Sequence, residues 1–106
     1  MIARDIHADL KTADVLNEIM AERSRQHSAE GFDPEHDDAH TDGELADAAA
    51  CYALGEQHWK TLPFHLVWPW SRRWWKKKGR RRDLIRAAAL IVAEIERLDR
   101  LEAKAK

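Results

Sequence analysis

The sequence predicts an all-α domain of three main helices packed as a small bundle, and three observations lead there. Apolar residues recur at helical period in three separate stretches. Pro34, Pro63 and Pro69 all fall between those stretches. Charged residues make up 35% of the chain against 44% hydrophobic ones, a balance that suits helices with solvated outer faces. At 106 residues the chain has material for a single core, so residues 1–106 are read as one domain.

In the first stretch Ile2, Ile6 and Leu10 recur at four-residue spacing, and Val15, Leu16, Ile19 and Met20 carry the period on. This predicts a helix from about Asp14 to Gln26, capped by Thr12 and preceded by a shorter or continuous helical turn, ending before Gly31. Its last turns place Arg23 and Arg25 toward the acidic segment that follows. Those arginines either complement the helix dipole or clamp a ligand or carboxylate. Gly31 to Pro34 reads as loop, with Phe32 plugging it into the core.

The second helix is expected to run from Thr41 to about His58, with Gly55 as its weak point. Thr41-x-x-Glu44 has the form of a capping box, in which each side chain bonds the other's backbone amide. Leu45, Ala48, Ala49, Tyr52 and Trp59 share one stripe, and Glu44, Asp47, Cys51 and His58 an adjacent one. The alanine run lets a neighbouring helix come close. Residues 59–79 form a long connection rich in tryptophan, arginine and lysine, and connections of that length are usually functional or disordered. So many tryptophans argue against disorder. The third helix is expected from about Asp83 to Ala103, burying Leu84, Ile85, Ala88, Ile91, Val92, Ile95 and Leu98, with Asp83 and Glu94 on the stripe's flank.

The formal net charge of −1 conceals two poles. Residues 30–47 carry eight acids and no Lys or Arg, whereas residues 72–86 carry nine Lys or Arg and a single acid, Asp83. Such blocks are either solvated surface or sites: the basic one for anions, the acidic one for cations. A lone cysteine, Cys51, makes no internal disulfide and indicates a reducing setting. The charged start Met1-Ile2-Ala3-Arg4-Asp5 is unlike a signal peptide, and no apolar run reaches the roughly 18 residues of a membrane span. A cytoplasmic protein without a membrane partner is expected.

Two constellations carry chemistry. Glu44 and Asp47, one helical turn apart, can share a Mg²⁺ ion, although acidic helix starts are common for dipole reasons alone. His36 and His40 with Asp37 and Asp38 suggest zinc or another transition metal as the lesser alternative. No EF-hand, phosphate loop or nucleophile elbow is present. In the connection, Trp68, Trp70, Trp74 and Trp75 alternate with Arg72, Arg73, Lys76 and the arginines from Arg80 to Arg82. Aromatics interleaved with cations stack on a base while neutralising phosphate. That grammar fits a nucleotide-type small molecule, nucleic acid, or a structural role in which the tryptophans pack and the cations are solvated.

Several of these pieces together form a pattern: Glu22-Arg23-x-Arg25-Gln26, Glu30-Gly31-Phe32, Glu35-His36-Asp37-Asp38-x-His40, Gly43-Glu44-Leu45-Ala46, Trp68-Pro69-Trp70, Trp74-Trp75-Lys76 and Arg81-Arg82-Asp83-Leu84-Ile85. It resembles small, mostly uncharacterised proteins encoded by phages and prophages. More remotely, it is similar to phage members of the MazG-like all-α nucleotide pyrophosphohydrolases. The resemblance implies a homo-oligomer, a host-cell cytoplasmic location, and Mg²⁺ held by acids from two helices, here Glu44 and Asp47 with Asp83 or Glu94. This chain departs from that pattern, because Asp83 is followed one turn later by Arg86 where a second acid is expected. A cation there repels Mg²⁺ and attracts phosphate. The expectation is therefore a phage accessory protein that captures a nucleotide or nucleotide-derived signal without cutting it. Its candidate ligand contacts are Arg23, Arg25, Trp70, Trp74, Trp75, Lys76, Arg81, Arg82 and Arg86, and its candidate metal ligands are Glu44, Asp47 and Asp83. Mg²⁺-dependent pyrophosphate release and binding to nucleic acid or a host protein are the alternatives.

Overall fold

Asp5 starts the first helix, and the turn expected before Asp14 is continuous with it. In the computed structural model, which describes residues 5–55, 68–71, 73, 75 and 78–105, its carboxylate accepts from the Ala8 amide at 3.1 Å. Helix α1 then runs unbroken through Thr12 as Ile6–Ala29. Gly31, at φ 74°, reverses the chain so that the Phe32 amide reaches the Gln26 carbonyl at 2.9 Å.

Where a loop was expected, Asp33 caps a short helix α2, Pro34–Asp38, by accepting from the His36 amide at 2.8 Å. Pro34 occupies its first turn, where the missing N–H costs nothing. Helix α3, Glu44–Leu54, follows, but the capping box does not form. Gly43 takes the cap position at φ 83°, and the Glu44 carboxylate turns back to the Asp42 amide at 2.6 Å instead of that of Thr41. Gly55, also at positive φ, ends α3 before the expected His58.

Helix α4, Arg80–Ala105, begins with three arginines at the end where the helix dipole disfavours cations. Each finds an acceptor elsewhere: Arg80 donates to the Ala53 carbonyl at the end of α3, Arg81 to Glu18 and Arg82 to Glu22. Asp83 holds the turn from below, accepting from the Lys78 amide at 2.9 Å.

Helix α4 packs on both α3 and α1. The core joins Leu45, Ala48, Ala49, Cys51 and Tyr52 of α3 to Ala87, Leu90 and Ala93 of α4, with Trp68 closing one side. Alanines on both helices permit the close approach. Burial, with Asp47 nearby, raises the Cys51 thiol to about 11, so it acts as a small apolar filler. Among the described residues there is no strand, and no helix is long and apolar enough to cross a membrane.

The expected stripe of α4 is largely not the buried one. Ile85 is buried, but Leu84, Val92, Ile91, Ile95 and Leu98 are exposed, the last three by 48%, 52% and 48%. The helix is apolar on two sides, and a single chain covers only the alanine-rich one. Likewise every residue of α1 from Ile6 to Glu18 is exposed, although Ile6, Leu10, Val15 and Leu16 recur along it.

Candidate functional site

Glu22 lies at the centre of the site. It is 1% exposed, on the face of α1 that meets α4. Arg25, one turn on, grips both of its oxygens at 2.7 Å; Arg82 from α4 donates to one of them, and the Gln26 amide to the other at 3.2 Å. Burial alone would raise the Glu22 carboxyl, but the bonds from Arg25 and the charges of Arg25, Arg82 and Arg86 outweigh it and hold the group below the usual carboxylate range. Arg25 also pairs with Glu30 at 3.3 Å, so three guanidiniums face two carboxylates and the cluster keeps one net positive charge.

Beside this cluster, Arg25, Gln26 and Arg86 share a cavity of about 20 Å³ with Tyr52, Trp68 and Trp70. That is room for about one water. Arg86 is buried and lies 5.9 Å from the Tyr52 ring centroid. Two buried polar atoms in the cavity lining have no protein partner among the described residues: the Trp70 Nε1 donor and the Gln26 Oε1 acceptor. Buried polar groups are usually satisfied, so such a pair indicates water or ligand.

Trp70 and Phe32 also form the wall of a larger outer groove of about 340 Å³, completed by His36, His40 and Ser71. An aromatic ladder links the two spaces. Phe32 stacks on His36 at 4.4 Å, His40 lies 5.3 Å from Trp70, Trp70 meets Trp68 edge-on at 5.5 Å, and Trp68 stacks on Trp75 at 5.3 Å. The Trp68 indole N–H is fixed by the Ser71 carbonyl at 3.1 Å.

Of the residues read from the sequence, the structure brings Arg25, Arg82, Arg86 and Trp70 together here, with Trp75 behind Trp68. Arg23 points elsewhere and donates to the Phe32 carbonyl, to buried Asp37 at 2.6 Å and to Glu96, tying α1 to α2 and α4. Arg81 is exposed and pairs with Glu18. Trp74 and Lys76, with Trp59, His58, Arg72 and the stretch 56–67, lie outside the described residues.

The proposed metal acids are occupied separately. Glu44 bonds His40 and the Asp42 amide, and these bonds, against the effect of burial, keep it below the usual range. Asp47 is exposed, and Asp83 holds Lys78. Among the described residues no three of His, Cys, Asp and Glu gather to hold a metal by themselves. Sequence reasoning missed Glu22, Gln26 and Tyr52 as site-building groups. The four-residue spacing of Glu22 and Gln26 flanking Arg25 was the available signal.

Comparison with family models, with curated proteins and with solved structures yields no match.

Proposed function

We propose that the protein is a self-associating binder of a nucleotide-type anion, with the aromatic groove receiving a planar ring and the guanidiniums behind Trp70 receiving negative charge. The observation that carries this is the unpartnered donor and acceptor, Trp70 Nε1 and Gln26 Oε1, on two residues that line one cavity, beside a cluster in which Arg25, Arg82 and Arg86 exceed Glu22 and Glu30 by one charge. A ring with polar edges and an anionic tail satisfies all three features. At about 20 Å³ the inner cavity is too small for a phosphate, so binding requires Trp70 to swing toward the outer groove, whose 340 Å³ falls at the low end of small-molecule sites. The resemblance suggests a phage accessory protein that sequesters such a ligand intact.

Self-association is the second part of the reading. Leu84, Ala88, Ile91, Ile95 and Leu98 follow one another at alternating spacings of four and three, the seam of a coiled coil, and four of the five are exposed large side chains. The unburied first half of α1 adds a second apolar strip. Such continuous exposed apolar surface marks an interface.

Calorimetry with mononucleotides, nucleoside triphosphates and cyclic dinucleotides tests the binding reading. At least one class should bind and be recovered unchanged. Trp70→Leu and Arg25→Gln should each weaken it about tenfold or more, the loss of one good contact. Release of pyrophosphate would favour the Mg²⁺ enzyme instead. Binding that ignores nucleotide identity and falls steeply with salt would favour nucleic acid.

A further inference from the structure

The outer groove holds a second arrangement that nucleotide binding does not require. His36 Nδ1 lies 3.2 Å from Asp37 Oδ1, and His40 Nδ1 lies 3.0 Å from Glu44 Oε2. A carboxylate only accepts, so each Nδ1 carries a hydrogen, and in the neutral imidazole each Nε2 then keeps its lone pair. Those two Nε2 atoms face each other at 3.3 Å. With the ring centroids 4.6 Å apart, they belong to the facing edges of the two rings.

Two lone pairs directed at one another repel unless something positive lies between them. A shared proton or a metal ion supplies that charge. Two metal–nitrogen bonds of about 2.0–2.1 Å at a tetrahedral angle separate their nitrogens by about 3.3–3.4 Å. The observed 3.3 Å is the bite that such an ion needs.

We infer that His36 and His40 hold a transition-metal ion of the Zn²⁺ class through their Nε2 atoms, with Asp37 and Glu44 orienting the rings. Metal-ligating histidines almost always donate their other ring N–H to a carboxylate or carbonyl, and both do so here. The supports are themselves anchored: Asp37 is fully buried and held by Arg23 at 2.6 Å, and Glu44 is held by the Asp42 amide at 2.6 Å. Phe32 stacked on His36 fixes one ring from its face. With two protein ligands, the remaining positions open into the groove beside Ser71 and Trp70, where water or an anionic ligand completes the shell. Imidazole selects Zn²⁺, Cu²⁺ or Ni²⁺ over Mg²⁺, whose preference is for oxygen. Arg23 thereby acquires a positioning role, acting on the ion through Asp37 and His36.

Titration of the full chain with ZnCl₂ and NiCl₂, with MgCl₂ as control, tests this by calorimetry and by the histidine ring signals in NMR. One Zn²⁺ per chain should bind, His36 and His40 shifting together, while Mg²⁺ leaves both signals in place. His36→Gln and His40→Gln should each abolish the uptake. Glu44→Gln keeps both ligands and should weaken Zn²⁺ by about 10–100-fold with helical content unchanged, which separates loss of orientation from loss of fold. Absence of Zn²⁺ uptake at millimolar metal, or uptake that persists in both histidine variants, overturns the assignment. None of these outcomes depends on whether a nucleotide binds.

Discussion

Glu22 shows how a single buried acid can organise a site. Its charge is offset by Arg25 and Arg82, so removing it strands Arg82 and leaves Arg25 only its 3.3 Å contact to Glu30. Glu22→Gln should destabilise the fold by about 2–4 kcal/mol in denaturant melts, somewhat under the range for breaking a fully buried pair because both arginines remain partly solvated. The pH dependence follows from the direction of the shift. A carboxyl held below its unfolded value contributes stability that is fully present above the unfolded pKa and lost as pH falls through the folded one. Stability should therefore fall on acidification below about pH 4.5, and Glu22→Gln should flatten that part of the curve. An unchanged acid limb in the variant would place the effect elsewhere, with Asp38, held low by Arg100, as the next candidate.

At the scale of elements, α4 carries two apolar faces with different consequences. Leu90 is 2% exposed in the α3–α4 core, and Leu90→Ala should cost about 2–5 kcal/mol at any protein concentration. Ile95 lies on the other face, so Ile95→Ala should cost little in dilute protein and show its effect only where chains associate. Chemical denaturation at two protein concentrations distinguishes them. Local rules located these elements unevenly. Helical period announced α1, α3 and α4, and the alanines of α3 correctly marked the close helix contact. Period cannot say which of two apolar stripes a neighbour will cover, so most of the stripe assigned to the α4 core is exposed. The caps went wrong for a related reason: Thr41 had the right spacing, but Gly43, free to adopt positive φ, supplied a tighter start and left Glu44 to His40.

At the scale of the whole molecule, a Cα radius of gyration of 15.7 Å exceeds the roughly 13 Å of a compact chain of this length. The excess fits an α1 whose first half projects beyond the core. Isolated helices of this size are marginal in water, and the proposed self-association would hold this part of α1. Light scattering should give a mass of at least two chains, and the thermal midpoint should rise with protein concentration. Ile91→Glu combined with Ile95→Glu should yield monomers with the α3–α4 core intact. A monomer at every concentration in the unaltered chain would refute the seam.

The sequence by itself determined the helical class, the positions of the three long helices, the alanine contact between the last two and the separation of an acidic from a basic block, because each depends on spacing and charge within one segment. Tertiary structure alone decided that Arg25, Arg82 and Arg86 converge on Glu22, that Arg23 serves Asp37, and that His36 and His40 meet by their Nε2 edges. Those are distances between side chains on different segments or across a turn, and they follow from how the helices cross, which no local pattern encodes.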